Sequence, residues 1–171
     1  MTETILIISI PLFTFSMVIM LSLKWFLNNL YKNQKLILLR EENKHVLNLK
    51  LQAYERTVLL IERISPESLI IREQQQGLNC MQFHSGLIQT IRKEYEHNLA
   101  IQIYISDESW NLLKQTKEEI IKLINTCASE VQPKNPSIEL GQKILERTGG
   151  SILFQIQKTK KQIKSDISGF A

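Results

Sequence analysis

Residues 47–64 read LNLKLQAYERTVLLIERI. Leu47, Leu51, Tyr54, Val58 and Ile61 recur at spacings of 4, 3, 4 and 3, one face of an α-helix, and Leu59, Leu60 and Ile64 widen the stripe. A face this broad suits a globular bundle. A two-stranded zipper needs a narrow seam sustained over at least about three heptads, and here the pattern lapses after about two. No Pro or Gly interrupts residues 28–64, so a long helix is expected to run into the stripe. Within it Arg40, Glu41, Glu42, Asn43, Lys44 and His45 are polar all round, which predicts a solvated stalk.

Upstream of the stalk the character changes. Residues 4–23, TILIISIPLFTFSMVIMLSL, hold no charged side chain. Twenty helical residues rise about 30 Å, the thickness of a bilayer's hydrocarbon core. Lys24, Trp25, Phe26, Tyr31, Lys32 and Lys35 follow, the aromatic and basic border of a lipid–water interface. Pro11 is compatible with a span, because Ser9, Thr14 and Ser16 can satisfy freed carbonyls. A cleavable signal peptide would need a basic start and a small-x-small site; only Met1, Thr2 and Glu3 precede the run, and Met20–Trp25 offers no such site. The expected topology is one transmembrane helix with residues 1–3 outside and residues 24–171 cytoplasmic, because Lys and Arg lie only on the C-terminal flank.

Downstream the expected architecture is all-α: the transmembrane helix followed by a bundle of three to five helices. Only 6 Gly and 4 Pro in 171 residues leave long uninterrupted stretches for it. The domain plan is 1–3 external, 4–23 span, 24–46 stalk, 47–131 bundle, 132–136 linker and 137–171 basic amphipathic helices. Ser65-Pro66 starts a short helix, with Ser65 as cap. A long helix is expected over about residues 79–105, its apolar face Cys80, Phe83, Leu87, Ile91, Tyr95, Leu99 and Ile103. Ser106-Asp107-Glu108 is a helix start, a hydroxyl cap followed by acids where the dipole favours them. Trp110, Leu113, Ile120, Ile121, Ile124, Cys127, Ala128 and Val131 are its core face. After Gln132-Pro133-Lys134-Asn135-Pro136, Ser137 and Ser151 are expected to cap the last two helices, and Ile152, Ile156, Ile163 and Ile167 line one side of the second.

The net charge of +4 is unevenly placed. Residues 24–64 carry +4, residues 65–131 carry −3 and residues 132–171 carry +4. The first basic block borders the proposed membrane, and so mild an overall charge disfavours nucleic acid as the main partner. Cys80 and Cys127 belong to no metal-ligand spacing and fall on apolar faces, so two buried free thiols are expected.

Two Glu-x-x-His pairs carry the sharpest chemical reading: Glu94 with His97, and Glu42 with His45. A carboxylate and an imidazole three apart share a helix face, and two such pairs make half of a dinuclear metal site in a helical bundle. Glu55, Glu62, Glu118 or Glu119 would have to complete it. Against it, His45 sits in the polar stalk, and half-buried polar pairs more often fix helix register. The basic tail, Lys158, Lys160, Lys161 and Lys164, allows three readings: docking through its Ile stripe with the lysines in water, contact with an anionic leaflet, or phosphate binding. No P-loop, GxGxxG, GxSxG, HExxH or zinc cluster is present. No cofactor and no enzymatic activity are expected.

The segments Leu51–Ile64, Glu94–Ser106, Trp110 and Glu118–Asn125 resemble an uncharacterised family of small membrane-anchored helical proteins of Bacteroidota. The resemblance implies an anchored helical chain in a bacterial inner (plasma) membrane and transfers no functional residue. The expected function is therefore a membrane-anchored interaction or scaffold protein, a homo-oligomer or a subunit of a membrane complex, with the lipid bilayer as one partner. The alternatives are a metal-binding bundle enzyme built on Glu94 and His97, or a membrane-tethered nucleic-acid binder using the basic tail.

Overall fold

A computed structural model describes residues 2–169, with the backbone alone for residues 2–14 and Leu39. Among the described residues the chain is helical without a β-strand: α1 (Thr2–Ile64), α2 (Pro66–Glu73), α3 (Cys80–His97), a 3-10 helix (Leu99–Ile103), α4 (Asp107–Ala128), α5 (Ser137–Arg147) and α6 (Gly150–Ser168). It divides into two compact units, Met1–Val46 and Leu47–Ala171.

The first unit is the N-terminal part of α1. Every described side chain from Phe15 to Val46 is exposed. Among the described residues no helix is long and apolar enough to cross a membrane. The span expected over residues 4–23 falls, for its residues 4–14, on side chains outside the described residues.

The second unit is built on one apolar core, to which the end of α1 gives Ala53, Tyr54, Leu60, Ile61 and Ile64. The buried stripe is rotated from the expected one: Leu47, Leu51 and Val58 are half-buried, and Leu59 is 55% exposed. Thr57 lies at the centre instead, because its hydroxyl donates to the Ala53 carbonyl at 2.8 Å and so enters the core without an unpaired polar group.

Ser65 does not cap α2. Its hydroxyl donates back to the Glu62 carbonyl at 2.7 Å, while Pro66 opens the helix as expected. α3 begins with a capping box: Asn79 Oδ1 accepts from the Gln82 amide at 2.8 Å, and Gln82 Oε1 accepts from the Asn79 amide at 3.1 Å. The linker completes this start. Asn135 and Pro133 carbonyls accept from the Cys80 and Met81 amides at 2.8 and 3.1 Å.

α3 ends at His97 rather than near residue 105. Asn98 donates its side-chain amide to the Glu94 carbonyl at 2.8 Å, a local bond that competes with the helical ladder. The tighter 3-10 turn that follows resets which side chains face inward. Ile101 and Ile105 are buried, whereas Leu99 and Ile103, placed inside by a continuous helical period, are 39% and 73% exposed.

Ser106 does cap α4, accepting from the Ser109 amide at 3.1 Å. α4 contributes Trp110, Leu113, Ile120, Ile124 and Cys127 to the core and packs on α3, α5 and α6. Thr116 and Thr159 hydroxyls meet at 2.8 Å between α4 and α6. The helical unit does not stop at residue 131: Leu140, Ile144, Ile152, Ile156 and Ile163 of α5 and α6 belong to the same core. Neither of these helices has a side-chain cap. Pro136 and Gly149 take the cap positions, and Ser137 instead accepts from Gln74 at 2.7 Å.

Gly86 lies inside α3 with open space where a Cβ would stand. Gly86→Ala is expected to stabilise the bundle by about 0.5–1 kcal/mol through the lower helix propensity of glycine, read as a raised urea midpoint with unchanged m-value.

Candidate functional site

The densest polar cluster of the bundle surrounds Asp166, in the last turn of α6. Its Oδ2 accepts from the hydroxyls of Ser106, of Ser109 at 2.7 Å and of Tyr54 at 3.0 Å, and its Oδ1 accepts from Gln162 at 3.0 Å. The Tyr54 oxygen in turn accepts from the Ser106 amide at 3.1 Å. Three elements, α1, the start of α4 and α6, are thereby joined at one carboxylate. Burial opposes the charged form and is the largest single influence; the bonds from Ser106, Ser109, Tyr54 and Gln162 together outweigh it and hold the carboxyl below its usual range. Burial and the neighbouring carboxylate push the Tyr54 hydroxyl up. These bonds make the cluster a polar lock between α1, α4 and α6. The sequence reading missed it. One signal was available: an acid in the last helical turn opposes the dipole and calls for donors elsewhere.

Glu94 and His97 line a surface groove of about 390 Å³ with Arg63, Arg72, Glu73, Thr90 and Lys93. Glu94 is met by Arg63 at 3.3 Å and Arg72 at 4.0 Å. Two guanidiniums and a lysine beside the carboxylate disfavour a divalent cation there. Glu42 and His45 are exposed residues of the first unit. Among the described residues no group of three or more His, Cys, Asp or Glu side chains could hold a metal ion.

A third cluster brings together Cys80, His84 and Asn125, residue types that elsewhere form nucleophile, base and orienter. His84 Nε2 lies 2.8 Å from Asn125 Oδ1. Yet Cys80 is only 2% exposed and donates to the Pro136 carbonyl at 3.3 Å. The first amides of α3 are already bound by the linker and by Asn79, which leaves no oxyanion donors at the thiol. The cluster is a packed helix junction. Cys127 is also buried, and burial raises its thiol. Iodoacetamide at neutral pH is therefore expected to leave both thiols of the native chain unmodified over hours and to alkylate both in urea; rapid native modification of either contradicts this burial.

The charged faces remain. Lys24, Trp25, Phe26, Tyr31, Lys32 and Lys35 are exposed along the first unit. On α6, Lys158, Lys161 and Lys164 are exposed, and Lys160 pairs with Glu62 at 2.5 Å.

These features define a class: a helical bundle with a polar lock, on a helix whose described side chains from Phe15 to Val46 are exposed. The chain belongs to the Family of unknown function (DUF7935), whose sequence profile matches residues 1–170. No curated protein and no solved structure matches it.

Proposed function

We propose that the chain is a single-pass, membrane-tethered interaction protein. The N-terminal part of α1 enters the bilayer, and the bundle of the second unit presents binding surfaces at the cytoplasmic face of a bacterial plasma membrane. One observation carries the reading: on the first unit Phe15, Met17, Val18, Ile19, Met20, Leu21 and Leu23 are 48–74% exposed. Removing each from water is worth about 1.5–3 kcal/mol, so together these seven side chains leave on the order of 10 kcal/mol unrealised in water. That is comparable to the whole stability of a domain, about 5–15 kcal/mol. Such a surface needs an apolar environment.

Lipid suits it better than a folded partner. The run continues the uncharged residues 4–14 and ends at Lys24, Trp25 and Phe26, where amphipathic rings and ammonium groups meet headgroups. The basic residues that follow it, Lys24, Lys32, Lys35 and Arg40, orient the bundle inward. Two unpaired thiols suit a reducing compartment.

We favour scaffolding over catalysis because the Asp166 carboxylate is held by Ser106, Ser109, Tyr54 and Gln162, and the Glu94 carboxylate by Arg63 and Arg72. Purified in mild detergent, the full-length chain is expected to elute as a homo-oligomer or with a stoichiometric partner, measured by light scattering and mass spectrometry. A bare monomer at all concentrations tested contradicts the scaffold reading.

A further inference from the structure

We propose that the outer face of α6 is a docking surface for an anionic lipid leaflet. Phe154, Lys158, Lys161 and Ser165 follow one another at spacings of 4, 3 and 4, so they share a helix face, with Gln157 and Lys164 beside them. Phe154 is 69% exposed, and Leu153 next to it is 44% exposed. Phe154 and the lysines enclose a shallow depression of about 550 Å³ with no acid in its wall. The one acid of α6, Asp166, is turned the other way and consumed by Ser106, Ser109, Tyr54 and Gln162. Lys160, which also lines the depression, is the one lysine there in an ion pair, with Glu62 at 2.5 Å. Lys158, Lys161 and Lys164 therefore stand as a cationic row, with no ion pair among the described residues, beside an exposed aromatic ring.

A ring among lysines on one helix face fits headgroup phosphates above and acyl chains below. A folded acidic partner would need charge but not the bare ring, and single-stranded nucleic acid would need more than one stacking aromatic. The choice of occupant rests on the membrane-tether reading: a bundle held at a bilayer meets headgroups before any other anionic surface. Each lysine near such a surface contributes about fivefold in affinity, so three contribute roughly a hundredfold, and the effect fades with salt.

The test uses the full chain carrying Gln157→Cys, an exposed position, labelled with a fluorophore while the native thiols stay buried. It is mixed with vesicles bearing a headgroup nitroxide quencher, either of phosphatidylcholine alone or with about a third phosphatidylglycerol. Flotation reports the tether; quenching at position 157 reports the α6 face. The expected result is flotation on both vesicles and strong quenching only on the anionic ones. That quenching should be lost in high salt, in K158Q/K161Q/K164Q and in F154S, with circular dichroism unchanged. Flotation on both with no quenching on the anionic vesicles overturns the proposal. If the chain fails to float on phosphatidylcholine, the tether reading fails separately. Flotation on anionic vesicles that the lysine substitutions abolish would then still support the α6 face, and no flotation there would overturn it. Oligonucleotide binding lost in the lysine variant, without any vesicle effect, also overturns it.

Discussion

Asp166→Ala is expected to lower the stability of the bundle by about 3 kcal/mol, because the buried Ser109 and Tyr54 hydroxyls each lose a charged acceptor, at about 1–3 kcal/mol apiece. Ser106 loses the same acceptor while still capping α4. Far-ultraviolet circular dichroism in urea should show the midpoint fall with the m-value preserved. A loss under 0.5 kcal/mol, within the range of ordinary surface substitutions, would show that the carboxylate is not the lock described.

The same residue gives a pH signature. Its folded carboxyl lies below the ordinary value, so its contribution is complete above the unfolded-state value near about 4 and is lost as pH falls through the folded value. Stability of the wild-type chain should therefore decline with acid below about pH 4. Asp166→Asn, which keeps the shape and removes the titration, should flatten that decline while lowering stability at neutral pH.

The second large effect concerns residence in the membrane. Val18→Lys with Leu21→Lys places two charges on one side of α1, where the wild-type residues are 63% and 57% exposed. A lysine costs about 3 kcal/mol at the middle of a span and less toward its end, and each lost apolar residue about 0.5 kcal/mol more, so the pair, set in the last third of residues 4–23, costs up to roughly 7 kcal/mol. The variant is expected to leave the membrane fraction and to appear in soluble or aggregated fractions. The core of Leu47–Ala171 contains neither residue, so its thermal unfolding should stay within about 1 °C of wild type, as for surface changes away from a core. Retention of the double variant in carbonate-washed membranes would mean that these side chains do not face lipid.

Much of the bundle was legible because helical period and breakers are local signals. The Pro66 start, the Ser106 cap and the inward isoleucines of α6 follow from residue type and spacing alone. The errors have a common cause: a local pattern met a tertiary or competing bond. Leu59 fits the apolar stripe by spacing but points outward, since Thr57 can pay its polar cost within its own helix. Leu99 and Ile103 kept the helical period across Asn98, where the side-chain bond to Glu94 ends it. Ser65 and Ser137 are good caps by type, yet other acceptors and donors hold their hydroxyls.

The lock was invisible for a different reason. Tyr54 and Asp166 are 112 residues apart, and no spacing rule links them. The Glu-x-x-His pair shows the converse. Its spacing was right for a metal site, but Arg63 and Arg72, from other helices, occupy the carboxylate. Chemistry that depends on convergence of distant elements needs the fold. The α6 face lies between these cases: its lysines were plain in the sequence, but that Asp166 turns inward and leaves them uncompensated was not.

Oxygen accessibility of a spin label placed in turn at Val18 and at Lys44 of the full chain, reconstituted in lipid, tests the tether most directly. A label at 18 should be rich in dissolved oxygen and shielded from a water-soluble nickel reagent, and a label at 44 should show the reverse. Equal access of the nickel reagent to both positions would place the first unit in water and contradict membrane tethering.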